Sequence, residues 1–449
     1  MDLNISFLQR LLSNITRGKG YRHHEVAAQA SSLSQLASAC EALMQRGGEA
    51  HLVLKAQQAL SHYAGLEEAE KHAFFSLLAE QYSARPQAIH DAYEAYRQQE
   101  SNAHLQRLFQ ACEPRRQDLL RRLNQCPGGT YELVRMRADL LGMLRQDPAL
   151  APLDADFAHL FSSWFNRGFL VLESIDWNTP AAILEKIIRY EAVHEIRDWS
   201  DLRRRLDPDD RRCYAFFHPA TGDEPLIFVE VALCRGIPGS IQGILGGGDE
   251  VAPQDADTAV FYSISNCQAG LKGISFGNFL IKQVVQELKR DLPGLRNFVT
   301  LSPVPGFAGW LDARRQADQC RLDMEQAARL DAGDWADDEA ARAALRPDLQ
   351  GLLAHYLVEE KHRNGQPLDP VARFHLGNGA SLHRINWLAD TSAKGLRQSH
   401  GLMVNYLYEP DKIEQHQEAF SREGAVACTA ELRREARHAQ PLLNVAAAV

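Results

Sequence analysis

The spacing of apolar residues changes near residue 168, and this change constrains the fold more than any other feature of the chain. Before it, apolar residues recur every three or four positions, which is typical of helices that bury one face. One such stripe consists of Leu33, Leu36, Ala37, Cys40 and Leu43. No segment of this half alternates with a period of two. We therefore predict an all-α helical bundle over residues 1–168, with a role in oligomerisation or interaction.

From about Phe169 the pattern is mixed, and residues 169–449 are predicted to form a second domain that contains both strands and helices. Runs rich in β-branched and aromatic residues predict strands over 212–218, 226–233, 258–265 and 297–301. A glycine-bearing loop and a helix from about Ser275 to Arg290 precede the last of these strands. Further on we predict a helical insertion over about 308–363, a strand in the INWLAD segment and a helix over 394–407. The predicted fold class is α+β, with a helical bundle followed by an α/β domain that has a mixed sheet.

Composition excludes several classes of protein. Hydrophobic residues make up 45% and charged residues 24% of the 449 residues, as in ordinary globular proteins. The net charge of −9 argues against a nucleic-acid partner, and no apolar run reaches the roughly 18 residues that would span a membrane. Eight cysteines occur without a C-x-x-C pair, so zinc-ribbon and thioredoxin-like motifs are excluded. The N-terminal segment lacks the pattern of a secretory signal. Arg10, Arg17 and Lys19 on a weakly amphipathic segment leave a transit peptide as the alternative, which Asp2 disfavours, and we predict a cytoplasmic protein.

The loop between the strand ending near Ser265 and the following helix has the features of an anion site. It reads NCQAGLKGISFGN over residues 266–278. Glycines let the backbone approach a ligand and turn N–H groups toward it, and the helix that follows adds the positive end of its dipole. Neither a Walker loop nor a dinucleotide fingerprint is present. On the residues alone, a plain strand–helix turn with glycines for packing is an equally good interpretation.

The loop resembles a known coenzyme A site. Gln268-x-Gly270-x-x-Gly273, after a strand and before a helix, is similar to the pyrophosphate loop of the GNAT acyltransferase superfamily. The spacing departs from that family, which usually has one residue fewer between the last two glycines. The order β-β-β-loop-α-β agrees with the GNAT fold. The resemblance implies that coenzyme A binds at Gln268, Gly270, Lys272, Gly273, Ile274, Ser275, Phe276, Gly277 and Asn278.

Longer stretches resemble one family in particular. VFYSISNCQAGLKGISFGNFLIK, LSPVPGFAGWL, FHLGNGASLHRINWLAD and LMVNYLY are similar to segments of the malonyl-CoA decarboxylases. The likeness is strongest over about 170–310 and 370–410. It implies that residues 169–449 form a GNAT-like catalytic domain, with malonyl-CoA as substrate and acetyl-CoA and carbon dioxide as products. It also implies a place in fatty acid metabolism, and homodimers or homotetramers built through the helical domain.

Two residues are candidates for the chemistry. Ser302 follows a predicted strand and precedes prolines that fix its direction, although a serine in this place is also a plausible helix cap. His375 lies between aromatic and turn residues, and imidazole suits proton transfer near neutral pH, although a lone histidine is more often structural. The resemblance selects Ser302 in L-S-P-x-P-G-F and His375 in F-H-L-x-N-G as the catalytic pair. It implies that His375 protonates C2 of a thioester enolate while Ser302 orients the malonyl group.

Three further residues are weaker candidates for the site, and no metal or cofactor is expected in it. Asn378, Asn405 and Tyr406 are candidates for orienting substrate, and Asn378 is equally a turn residue. No metal-ligand cluster is recognisable, and decarboxylation of a thioester needs neither metal nor cofactor, so none is expected. Three alternatives remain open: an acyltransferase that moves an acyl group from coenzyme A to an amine, a non-catalytic coenzyme A-binding regulator, and a thioester hydrolase. The last lacks a G-x-S-x-G elbow around Ser302.

Overall fold

The structure is a computed structural model that describes residues 32–45, 47–247, 250–274, 280–333 and 335–443. Its first half is helical, as predicted. Eight α-helices are described there: α1 (Ser32–Met44), α2 (Glu49–Ala64), α3 (Glu68–Gln81), α4 (Pro86–Gln98), α5 (Asn102–Cys112), α6 (Arg115–Leu123), α7 (Gly129–Met143) and α8 (Ala151–Trp164). The predicted stripe on α1 is buried at Leu36, Cys40 and Leu43, because these positions face the other helices of the bundle.

Eight strands form one mixed sheet in the second half. They are β1 (Val171–Ile175), β2 (Arg211–Phe217), β3 (Pro225–Cys234), β4 (Thr258–Asn266), β5 (Asn297–Thr300), β6 (Ser302–Pro303), β7 (Ser381–Asn386) and β8 (Met403–Leu407). The sheet order is β1-β2-β3-β4-β5-β8-β6, and β7 also pairs with β8. Only the β4–β5 pair is parallel among the described strands. The predicted fold class, an α+β chain with a GNAT-like order of elements, is confirmed.

Helices cover the sheet and supply the insertion. Those described in this half are α9 (Ala181–Tyr190), α10 (Trp199–Leu206), α11 (Ile241–Leu245), α12 (Leu280–Asp291), α13 (Phe307–Gln316), α14 (Met324–Ala332), α15 (Glu339–Val358), α16 (Pro370–Gly377), α17 (Ala393–Ser399), α18 (Ile413–Glu423) and α19 (Ala430–His438). The single helix predicted over 394–407 was wrong in its second half. There β8 lies in the middle of the sheet and pairs with three strands, and this tertiary pairing overrides the local pattern.

Two adjacent strands separate at the centre of the sheet. The parallel pairing of β4 with β5 ends at Phe261 and Thr300, although β4 continues to Asn266. After Thr300 the chain turns away, and Ser302 pairs with Val404 of β8 instead. Among the described strands, none pairs with this edge over the last part of β4, and an opening forms between β4 and β5.

The helical half packs directly on the sheet domain. Its core contains Leu226, Leu271 and Ile274 from the second half together with the apolar side chains of the bundle. Leu271 and Ile274 belong to the glycine loop, so the bundle supports that loop from behind. None of the helices in the described ranges has the length and apolar character that crossing a membrane requires.

Candidate functional site

The opening between β4 and β5 contains a cavity of about 350 Å³. Its walls come from β4, from the segment that follows β5, from α16 and from the loop after α9. The lining residues are Val193, Phe261, Tyr262, Ile264, Asn266, Ser302, Pro303, Pro370, Val371, Phe374 and His375. None of these described residues is an aspartate, glutamate, lysine or arginine. The volume is near the lower end of ligand pockets, so the cavity suits a small group rather than a whole coenzyme.

Ser302 and His375 meet at this cavity, although they are 73 positions apart in the chain. Ser302 Oγ lies 3.0 Å from His375 Nε2. The serine hydroxyl also donates to Thr300 Oγ1 at 2.8 Å. The two side chains are only 6% and 3% exposed. The fold thus brings the two residues that the resemblance selected into direct contact.

Local structure holds each member of the pair. The short pairing of β6 with β8 and the proline after Ser302 fix the direction of its hydroxyl. His375 lies in the last turn of α16, which starts with Pro370 and is capped by Asp369 Oδ1, the acceptor of the Ala372 N–H at 2.8 Å. A proline at the first helical position and a capping aspartate are both sequence signals of a helix start, so the structure of this segment follows from its residues.

Two tyrosines at β8 support the imidazole. The ring of Tyr406 stacks on His375 with 4.5 Å between centroids and 27° between planes. Tyr408 Oη lies 2.8 Å from His375 Nδ1. Positions 406 and 408 share one face of an extended chain, so both rings reach the same helix. Sequence reasoning proposed Tyr406 and missed Tyr408, because the period of a strand does not reveal which hydroxyl has a partner.

Burial sets the protonation states at the pair. It lowers the pKa of His375 from 6.5 to about 3. Burial also raises the pKa of Tyr408 well above its usual 10, so the phenol keeps its proton. At neutral pH the imidazole is therefore neutral and carries one proton.

The hydrogen bonds assign that proton to Nε2. Within the described part of the chain, the Tyr408 hydroxyl has no partner besides His375 Nδ1. A buried O–H group needs an acceptor, so Tyr408 donates and Nδ1 accepts. Nε2 then holds the hydrogen and donates toward Ser302, whose own hydroxyl donates to Thr300. The resulting chain directs a neutral N–H group to Ser302 Oγ at the wall of the cavity.

The weaker candidates lie near the pair but do not line the cavity. Asn378 ends α16, and its Nδ2 donates to Phe374 O at 2.7 Å, as the turn interpretation expects. Asn405 Nδ2 donates to Thr300 O at 2.8 Å, and its Oδ1 accepts from Asn386 Nδ2 at 2.8 Å. Asn405 therefore braces the strand end that carries Thr300. The role of both residues in binding substrate stays a prediction.

The described part of the glycine loop has two faces. Gln268 Nε2 donates to Pro225 O at 3.0 Å, and a Cβ on Gly270 would lie 1.8 Å from Val134 O in α7. These two positions face the protein. Lys272 and Gly273 are exposed, and a Cβ on Gly273 would meet no atom within 4 Å. Ile274 is buried in the core of the bundle. Ser275, Phe276, Gly277 and Asn278, which were also assigned to coenzyme A, lie outside the described residues.

The residues in the described ranges contain no group of three or more histidine, cysteine, aspartate or glutamate side chains arranged to hold a metal ion. The absence of a cofactor from the reaction stays a prediction from its chemistry.

Comparisons with family models, curated proteins and solved structures all match this chain to the same family. The model of the malonyl-CoA decarboxylase C-terminal domain matches residues 168–445, and that of the N-terminal domain matches residues 82–165. The mitochondrial malonyl-CoA decarboxylase of Rattus norvegicus is 40% identical over 334 residues, which is 67% of each chain. The solved malonyl-CoA decarboxylase of Rhodopseudomonas palustris is 53% identical, with a TM-score of 0.86, over 90% of this chain and all (100%) of that one. The enzyme of Agrobacterium vitis is 51% identical, with a TM-score of 0.85, over 89% of this chain and 99% of that one.

Proposed function

Because the chain belongs to the malonyl-CoA decarboxylase family of carboxy-lyases, we propose that the cavity between β4 and β5 converts malonyl-CoA to acetyl-CoA and carbon dioxide, with His375 as proton donor and Ser302 as orienting group. The observation that supports this most is the contact between Ser302 Oγ and His375 Nε2 at the wall of an uncharged cavity. The remaining steps follow from the chemistry of a thioester.

The uncharged cavity favours loss of the carboxylate. Among the described residues that line it, no cation is present to neutralise the malonyl carboxylate. A desolvated, unpaired carboxylate is unstable in such a place, and loss of carbon dioxide removes that localised charge. The electrons of the broken C–C bond pass to C2 and the thioester carbonyl, which becomes an enolate. The thioester is thus its own electron sink, and we propose that no metal or cofactor takes part.

We propose that the Ser302–His375 pair stabilises the enolate and then protonates it. Hydrogen-bond donors held beside a developing oxyanion stabilise it more than water does. The Nε2–H group and the Ser302 hydroxyl lie at the cavity wall beside α16, and each turns from its partner in the hydrogen-bonded chain, Ser302 Oγ or Thr300 Oγ1, to the enolate oxygen when the substrate is bound. The Nε2 proton then moves to C2 and the electron pair of the enolate forms the new C–H bond. A neutral imidazole suffices as the acid because a thioester enolate is a stronger base than the imidazolate anion that the transfer leaves. The Tyr408 hydroxyl stabilises the negative charge on the ring until water returns a proton to Nε2.

Incubation with malonyl-CoA alone tests this function. We expect acetyl-CoA and carbon dioxide in equal amounts with no acceptor present. Malonate and free coenzyme A would instead indicate a hydrolase, and turnover only after an amine is added would indicate an acyltransferase. Binding of malonyl-CoA without any product would indicate a regulator. Activity that survives treatment with a chelator would support the proposal that no metal takes part.

We also propose that the protein is a homodimer or homotetramer through the helical domain. Helices α4 and α5 form a hairpin, and neither contains a buried residue. Tyr93 and Phe109 on this hairpin are 49% and 69% exposed. Large exposed apolar side chains on neighbouring helices are typical of a surface that another subunit covers.

Light scattering on the full chain tests the oligomer. Phe109→Glu should shift the mass toward the monomer. Met324→Glu is the matched control, because Met324 is 89% exposed on α14 of the other half and should leave the mass unchanged. An unaltered mass in the Phe109 variant would contradict the proposed surface.

The cytoplasmic location stays a prediction. Because the named relative from rat is mitochondrial, cell fractionation is the test.

A further inference from the structure

The helical bundle fixes the exposed turn of the glycine loop through one buried arginine. Arg137 of α7 is 3% exposed, and its Nη1 donates to the carbonyl oxygens of Gly270 at 2.7 Å and Lys272 at 2.9 Å. Its Nε donates to Asp154 Oδ1 of α8 at 2.8 Å. A carboxylate of the bundle therefore orients the guanidinium, which donates hydrogen bonds to two carbonyl groups of the sheet domain.

The geometry of the loop shows what this contact controls. Leu271 to Ile274 form a β-turn in which the Ile274 N–H donates to Leu271 O at 3.0 Å. Lys272 has φ −55° and ψ 129°, and Gly273 has φ +78°. These angles are those of a type II turn, whose central peptide is flipped relative to the more common type I turn. The flipped peptide is the one between Lys272 and Gly273.

Arg137 holds the carbonyl of that central peptide. In a trans peptide the C=O and N–H groups point in opposite directions. When Lys272 O faces Arg137, the Gly273 N–H must face away from the bundle. Within the described residues this N–H has no hydrogen-bond acceptor. It lies at an exposed position where a Cβ on Gly273 would meet no atom within 4 Å, so a ligand can reach it.

We infer that Arg137 is a positioning residue for coenzyme A, which selects the peptide orientation that presents the Gly273 N–H group to the pyrophosphate. This inference rests on the proposed function in that the ligand is a coenzyme A thioester. The opposite orientation would present the Lys272 carbonyl oxygen to the phosphate anions and repel them. The helical half therefore contributes to substrate binding without a side chain in the cavity.

A conservative variant separates this role from simple stability. Arg137→Lys keeps a positive charge beside Asp154 but loses the planar group that serves three acceptors at once. We expect the Kd for free coenzyme A and the KM for malonyl-CoA to rise on the order of tenfold, the effect of losing one hydrogen bond to a charged group, with kcat within about threefold of wild type. Arg116→Lys is the matched control, because Arg116 is also a buried arginine and pairs with Asp156 inside the bundle. Its hydrogen bonds among the described residues go to Asp156 and Ala79, not to the loop.

The outcomes decide between the explanations. A folded Arg137→Lys protein with the wild-type Kd for coenzyme A would overturn the inference, as would an equal rise of Kd in Arg116→Lys. A second measurement needs no variant: coenzyme A should slow hydrogen exchange in the wild-type peptide that contains Gly273, and unchanged exchange would also overturn it. A wild-type protein that binds coenzyme A but releases no carbon dioxide would instead refute the proposed function and leave this inference standing.

Discussion

Removal of one hydroxyl tests the assignment of the His375 proton. In Tyr408→Phe, Nδ1 of a 3% exposed imidazole loses the donor at 2.8 Å, and the new side chain leaves no polar group in its place. A buried acceptor without a partner costs about 1–3 kcal/mol. The same energy no longer favours the tautomer with hydrogen on Nε2, so the proton can move to Nδ1, away from the cavity.

The cost translates into rate. At about 1.4 kcal/mol for each factor of ten, a loss of about 1–3 kcal/mol corresponds to a fall in kcat of roughly 5- to 150-fold. The KM should change little, because Tyr408 does not line the cavity. Steady-state kinetics with malonyl-CoA give both numbers, and nitrogen NMR of labelled histidine reports the tautomer.

A matched variant controls for stability. Tyr63 is also a buried tyrosine, and its hydroxyl donates to Asp139 at 2.8 Å in the helical bundle. Tyr63→Phe should lower the free energy of unfolding by a similar amount without changing kcat. The assignment would be refuted if Tyr408→Phe kept a kcat within twofold of wild type, or if wild-type His375 carried its proton on Nδ1.

Three further predictions follow from the site. Ser302→Ala should lower kcat at least about a hundredfold with the fold intact, because it removes the group between His375 Nε2 and Thr300, and a near-normal kcat would exclude Ser302 from the chemistry. Gly273→Asp should weaken binding of coenzyme A by placing an anion beside the pyrophosphate, and calorimetry that shows an unchanged Kd would remove this turn from the site. In the native state the pKa of His375 is about 3, whereas in the unfolded chain the histidine takes up a proton near pH 6.5. The free energy of unfolding should therefore fall as the pH is lowered below about 6.5, by up to about 1.4 kcal/mol per pH unit. Urea unfolding should show a smaller slope with pH in His375→Gln, and equal slopes would contradict the neutral state.

The sequence predicts those parts of the fold that local patterns decide. The helical half follows from the three-and-four spacing, and four strands of the sheet follow from β-rich runs. The β-strand at Met403–Leu407 was missed, because it is stabilised by partners distant in the chain rather than by its own period. Strand β1 was also not predicted, since its five residues, VLESI, are too few to show a clear alternation.

The site was predictable only through resemblance. Ser302 and His375 are far apart in the chain, and no local spacing connects them. The same limit applies to Arg137, because its contacts with Gly270 and Lys272 cross between the two halves of the molecule. Tyr408 lay within a segment that carried the resemblance, yet its bond to Nδ1 depends on how α16 packs on β8. Long-range packing, which a single sequence does not encode as a pattern, decides all three.

The most direct test of the central claim is the decarboxylation of malonyl-CoA in heavy water by the wild type and by His375→Ala, followed by mass spectrometry of the thioester product. The account predicts that the wild type forms acetyl-CoA with one deuterium at C2, and that the variant binds coenzyme A normally but releases carbon dioxide at least about a hundredfold more slowly. Carbon dioxide release by His375→Ala at the wild-type rate would contradict it.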